Sequence, residues 1–275
     1  MHRETAPAKI NLALHVRRRR PDGYHDLETL FAFLQHGDSV MVSPAEVDSF
    51  DMTGPFAAAL AGGDNLVTRA RDAFDHAFGK AAPWAITLDK HLPIASGIGG
   101  GSADAAATLR ALALLTGIAP DDAHLFAIAE RLGADVPACL PGKSAVGTGK
   151  GEQLVPLDGL SGLPVLLVNP GVAVSTAAVF KAWDGVDRGP LEGGSALDQA
   201  LAGRNDLEPP ARAIAPVIGD VVATLQRQPG VLLARMSGSG ATCFALFESA
   251  TDCHTASAAI RASEPGWWCL ESALA

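Results

Sequence analysis

Four glycines fall within five positions in Pro93-Ile94-Ala95-Ser96-Gly97-Ile98-Gly99-Gly100-Gly101-Ser102, and an alanine-rich run follows to Leu112. Without Cβ atoms, successive backbone N–H groups can close around an anion, and a helix starting at Ser102 would point its free amides at the same place. This is the chemistry of a phosphate cradle. Two familiar glycine loops fail on spacing. A dinucleotide fingerprint requires glycine where Ser102 stands, and the one Gly-Lys-Ser of the chain, Gly142-Lys143-Ser144, has Pro137 where a Walker loop needs its first glycine. A tight turn packing a helix on a sheet is the plainer alternative for the loop.

Phosphoryl transfer asks for charge stabilisation and for a carboxylate that takes the proton of the attacking hydroxyl. Asp135, in Gly133-Ala134-Asp135-Val136-Pro137, sits in a short stiff loop and is the first candidate; a cap or solvated carboxylate is the alternative. Lys9 interrupts an apolar run between Ala8 and Ile10. A lysine there calls for a carboxylate or phosphate partner, unless it points outward from an edge strand. Tyr24, the only tyrosine, precedes His25 just after Asp22-Gly23, a pair able to stack on a ring and hydrogen-bond it. Arg17 to Arg20 reads as a solvated face rather than a nucleic-acid arm, because the chain is acidic.

The elements that must carry these residues follow from pattern and punctuation. A strand is expected over 8–16, a turn at 21–23, short strands at 40–42, 47–52 and 85–88, and a helix capped by Asp64 or Asn65 that runs to Phe78. Further helices run from Ser102 to Gly117 and from Pro120-Asp121-Asp122 to Gly133. The pattern then restarts with strand 163–169, helix 175–183, helix 211–227, strands 231–236 and 242–247 around Ser237-Gly238-Ser239-Gly240, helix 251–262 and a last strand through Trp267-Trp268-Cys269. An α+β protein of two domains, 1–155 and 156–275, is expected.

With 275 residues and 48% apolar content the chain can bury a large core. Its formal charge of −9 argues against nucleic-acid or anionic-membrane partners. Cys139, Cys243, Cys253 and Cys269 have neither zinc nor disulfide spacing, and the start of the chain has no secretory pattern, so the cytoplasm is the expected compartment. The uncharged stretch 159–180 is broken by Gly162, Pro164, Pro170 and Gly171 and does not read as a membrane span.

Taken in order, Pro7-Ala8-Lys9-Ile10-Asn11-Leu12, Arg20-Pro21-Asp22-Gly23-Tyr24-His25, the glycine loop, Gly133–Pro137 and Met236–Gly240 resemble the GHMP kinase superfamily, in its branch that recognises a cytidine diphosphate sugar alcohol. Asn205-Asp206-Leu207-Glu208 and Gly149–Leu154 share the likeness, which spans nearly the whole chain. The resemblance implies an N-terminal domain like the second domain of ribosomal protein S5 and a C-terminal ferredoxin-like domain. It implies transfer of phosphate from ATP, with Mg2+, to the 2-hydroxyl of 4-diphosphocytidyl-2-C-methyl-D-erythritol in the non-mevalonate route to isoprenoids. By the same resemblance Asp135 is the base, Lys9 holds it and the hydroxyl, and Asn11 contacts the substrate. Tyr24 and Phe180 sandwich the cytosine, His25 reads its polar edge, Pro93 to Ser102 hold the ATP phosphates, and Ser237 to Gly240 close the site. The family often has a second serine after the glycines, where this chain has Ala103. No magnesium ligand is assigned, and the resemblance is compatible with a monomer or a homodimer. Another small-molecule kinase of the superfamily and a nucleotide-binding regulator without catalysis are the rival readings; Tyr24-His25 speaks against the first, Lys9 and Asp135 against the second.

Overall fold

The computed structural model describes residues 1–60, 65–79 and 82–275, so Asp64 lies outside the described residues. Two compact units interleave along the chain. The first takes residues 1–9, 36–94 and 99–142; the second takes 10–35, 95–98 and 143–275. The two long strands β1 (His2–Arg19) and β2 (His25–Pro44) contribute residues to both. The sequence reading placed a single join near residue 155. The interleaving has a local cause: β5 (Ala145–Gly149) pairs antiparallel with Leu27–Phe31, which ties the first half of β2 to the second unit.

In the first unit, Ser39–Pro44 of β2 pairs antiparallel with β4 (Trp84–Asp89), and β3 (Ser49–Thr53) lies parallel on the other side of β4. Alternate residues of β4 are buried, as a strand with one core face requires. Among the described residues the unit's α-helices are α1 (Leu66–Phe78), α2 (Gly100–Thr116), α3 (Ala123–Leu132) and α4 (Val136–Cys139). Asn65 caps α1 by accepting from the Val67 amide at 2.8 Å. The α2 helix starts two residues before the expected Ser102, because Gly99 takes the left-handed conformation (φ 65°) and Gly100 is already helical. Its alanines bury almost every side, which lets α1 and α4 pack closely against it.

In the second unit, β5 also pairs with β6 (Gln153–Pro156), a hairpin the sequence reading did not include. An antiparallel sheet has the order β10 (Trp268–Ala273), β7 (Pro164–Asn169), β9 (Cys243–Phe247), β8 (Val231–Met236). Helices α8 (Val217–Gln226) and α9 (Ala250–Ser263) pack on it, with Val168, Ile218, Leu225, Met236, Phe247 and Ile260 in the core between. Helix α5 (Thr176–Ala182) starts at its expected cap, Ser175. Helix α6 (Ala196–Ala202) lies in what read as loop, and Ser195 and Asp198 form a reciprocal capping box at its start. The single helix expected over 211–227 is two, α7 (Glu208–Ile214) and α8, divided at Ala215-Pro216. Proline cannot donate to the ladder and clashes with the preceding turn, so it begins α8 instead of continuing α7.

Candidate active site

The glycine loop is built on left-handed backbone. Ala95 (φ 50°), Gly97 (φ 75°) and Gly99 (φ 65°) all have positive φ, and Ala95 is the one non-glycine to do so among the described residues. Gly97 also has no room for a side chain, since a Cβ there would lie 2.6 Å from the Ser237 carbonyl oxygen and 2.7 Å from that of Gly240. Ser237 Oγ donates to the Gly97 carbonyl at 2.9 Å, and the Thr242 amide donates to that of Ser96 at 3.1 Å. The Ser237–Gly240 turn therefore shapes the middle of the loop directly. Ile98 points into the core, leaving backbone rather than side chain to face an anion. The first amides of α2, at Gly100, Gly101 and Ser102, have no acceptor within the helix, which is what a phosphate uses.

Lys9 and Asp135 meet. The Lys9 ammonium lies 2.9 Å from Asp135 Oδ2, with 3% of the lysine side chain exposed and 40% of the aspartate's. A buried cation thus holds a carboxylate that solvent or a substrate can still reach. Gly99 makes the lysine's course possible, as a Cβ at that position would lie 3.1 Å from Lys9 Cε. Asp135 caps α4 by position, yet its side chain makes no capping bond and stays available to Lys9. The short helix, with Pro137 in its first turn, fixes the aspartate's backbone.

Asn11 is buried in the second unit. Its amide nitrogen donates to Thr29 Oγ1 at 2.7 Å, Thr29 passes a bond on to the Ala13 carbonyl, and the Asn11 backbone N–H donates to Ser237 Oγ at 3.2 Å. These bonds fix the side chain so that its Oδ1 is turned towards Gly238, where a Cβ would lie 3.3 Å away.

The aromatic residues group around His25. Phe180 is tilted against it with centroids 4.9 Å apart, and Trp183 meets it edge-on at 5.7 Å. Tyr24 is more than half exposed and carries the Lys150 ammonium 5.0 Å from its ring centroid. His25 Nε2 and Trp183 Nε1 are both buried with no hydrogen-bond partner. Burial, aided by the charge of Arg19, lowers the His25 pKa and so favours the neutral ring.

The arginine run is more engaged than a solvated face. Arg17 bonds Glu28 and Asp187, Arg18 and Arg20 share Asp26, and Arg19 donates to the carbonyls of Lys181 and Trp183. All four cysteines are free and buried, and burial pushes the Cys139 thiol up to about 12, so it offers no thiolate nucleophile. Among the described residues, no helix is long and apolar enough to cross a membrane. Sequence reasoning missed Trp183 and Lys150, which only the fold brings to Tyr24-His25, and a buried cluster of Lys90, Asp38 and Asp104.

Residues 65–143 match the GHMP kinases N terminal domain and residues 191–264 the GHMP kinases C terminal domain. The chain is 58% identical to the 4-diphosphocytidyl-2-C-methyl-D-erythritol kinase of Rhizorhabdus wittichii, over 98% of this chain and 94% of that protein. It is 54% identical to the enzyme of the same name from Novosphingobium aromaticivorans, over 99% and 92%. A crystal structure of 4-(cytidine 5'-diphospho)-2C-methyl-D-erythritol kinase superposes with a TM-score of 0.81 at 36% identity, covering 99% of each chain. Homoserine kinase from Cytophaga hutchinsonii shares the fold, at a TM-score of 0.71 and 18% identity, over 99% of this chain and 94% of its own. Two domain matches, high identity along the whole chain and a shared two-domain α+β fold agree: the chain belongs to the GHMP kinases, in the family of the 4-diphosphocytidyl-2-C-methyl-D-erythritol kinases.

Proposed function

We propose that this chain transfers the terminal phosphoryl group of ATP to the 2-hydroxyl of 4-diphosphocytidyl-2-C-methyl-D-erythritol, yielding the 2-phosphate and ADP in the non-mevalonate route to isoprenoid precursors. The observation that carries the chemical assignment is the 2.9 Å pair of a buried Lys9 with a reachable Asp135. Asp135 takes the proton of the 2-hydroxyl as its oxygen attacks phosphorus, and Lys9 keeps the carboxylate aimed and offsets negative charge beside the attacking oxygen. Asn11, held by Thr29 and Ser237, orients the same end of the substrate.

Tyr24 and Phe180 bracket the cytosine, and the unpartnered Nε2 of His25 reads its polar edge. Loop residues 93–102 hold the ATP phosphates on backbone amides, with the Ser237–Gly240 turn setting the loop's curvature. The loop's donor set is amide and hydroxyl rather than carboxylate, a chemistry that suits phosphate oxygens. Mg2+ bound together with the ATP phosphates would neutralise part of their charge beside the amides of residues 93–102. Among the described residues no group of three acidic, histidine or cysteine side chains is placed to hold a metal ion.

In functional terms the part to residue 155 carries the glycine loop, Lys9 and Asp135, and the part from 156 carries Phe180 and the Ser237–Gly240 turn. The partner is a small molecule, and free cysteines suit the cytoplasm. ADP release with Mg-ATP and four acceptors tests the assignment: the cytidyl substrate, homoserine, mevalonate and galactose. Turnover of the cytidyl substrate alone is expected. Turnover of another acceptor in its place would discard the substrate, and ATP binding without turnover would favour a regulator.

A further inference from the structure

Lys90 directly follows β4 and is 2% exposed, yet it carries a full charge into the core of the first unit. Its ammonium donates to Asp38 Oδ2 at 2.5 Å and to Asp104 Oδ2 at 2.7 Å, and both carboxylates are as buried as the lysine. The other oxygen of Asp38 accepts the amides of His91 at 2.5 Å and Leu92 at 2.8 Å, the last two residues before the glycine loop. Asp104 lies one turn into α2, just past the loop. Gly100, the first residue of that helix, rests against the cluster: a Cβ there would lie 3.1 Å from Lys90 Nζ and 3.7 Å from Asp38 Oδ2. One set of charges therefore grips the chain where it enters the loop and where it leaves.

Stability alone does not account for such a cluster. An apolar replacement of a buried ion group is often as stable or more so. Here two carboxylates share one ammonium, burial is the main cause lifting the Asp104 carboxyl to about 7, and Asp104 Oδ1 has no hydrogen-bond partner at all. What the cluster supplies is fixed geometry, because charged hydrogen bonds are directional where apolar contacts are not.

We propose that Lys90, Asp38 and Asp104 are positioning residues that clamp both ends of the glycine loop and thereby set the affinity for ATP. The inference rests on the reading of residues 93–102 as the ATP cradle. The clamp holds the first α2 amides in place before the nucleotide arrives, so binding does not have to order them.

The test is steady-state kinetics with both substrates varied, on Asp104→Ala, Asp104→Asn and, as a control on the loop itself, Gly97→Ala. Asp104→Ala is expected to raise the KM for ATP about tenfold and to leave the KM for the cytidyl substrate within twofold. Asp104→Asn, which still accepts from Lys90, is expected to restore the ATP KM to within threefold of wild type. A role confined to stability would lower the folded fraction without separating the two KM values. An unchanged ATP KM in folded Asp104→Ala, or equal shifts in both KM values, would overturn the proposal. If Gly97→Ala shifts the ATP KM and Asp104→Ala does not, the cradle stands and the clamp falls; if neither shifts it, both fall. Should Asp104→Ala not fold, Asp38→Asn, which keeps an acceptor for the two amides, carries the test by the same criteria.

Discussion

Replacing Asp135 by asparagine keeps an oxygen that can accept from Lys9 but removes the charge and the ability to take a proton. General-base catalysis is worth about 10²- to 10⁴-fold, or ~2.7–5.5 kcal/mol of transition-state stabilisation. The cost to the fold is smaller. Breaking a fully buried pair costs about 3–5 kcal/mol, but the aspartate is 40% exposed, so water screens it and about 1–2 kcal/mol is the fitting range. For a chain of 275 residues that is a fall in Tm of about 2–4 °C. The Asp135→Asn enzyme is therefore folded at assay temperature, with kcat lower by about 10³-fold and the KM for ATP within about threefold. Coupled ADP release gives both constants, and a thermal melt supplies the folded fraction. Retention of kcat within tenfold, or loss of ATP affinity in step with kcat, would refute Asp135 as the base.

Two further outcomes separate substrate recognition from chemistry. Tyr24→Ala should raise the KM for the cytidyl substrate about 5- to 10-fold, the loss of one stacking partner worth about 1 kcal/mol or more, while the KM for ATP stays put; a change confined to ATP would move Tyr24 to the nucleotide site. His25, whose pKa burial lowers from 6.5, stays neutral in the folded protein at pH values where the unfolded chain takes up a proton, so its contribution to stability is present above pH 6.5 and is lost as pH falls through the lowered value. The KM for the cytidyl substrate should accordingly be level above pH 6.5 and rise only below it, and a rise starting at higher pH would contradict a neutral His25 in the site.

The legible parts of this molecule were those whose residue types are costly anywhere else. A glycine-dense loop before an alanine helix and a lysine inside an apolar strand each required a partner, and the structure gives Lys9 its partner in Asp135. The cluster around Lys90 left no such trace. Asp38, Lys90 and Asp104 are far apart in sequence, and only the pairing of β2 with β4 and the packing of α2 bring them together. Strand length was hidden for a related reason. Residues 8–16 of β1 are buried throughout, so no alternation marks where the strand extends beyond them to His2 and Arg19. The glycine-rich hairpin of β5 and β6 has low intrinsic strand preference and owes its pairing to β2. Pro216, by contrast, was in plain view as a helix break, and an apolar periodicity on either side of it read as one helix.

The position of the new phosphate tests the central claim most directly, and 31P NMR of the product of one complete reaction measures it. Carbon 2 of a 2-C-methyl erythritol carries no hydrogen, so transfer to the 2-hydroxyl predicts a phosphomonoester signal without three-bond coupling to a proton. A monoester split by a neighbouring CH or CH2 proton would place the phosphate on another hydroxyl of the sugar alcohol or on the ribose, and would contradict the proposed transfer to the 2-hydroxyl with Asp135 as base.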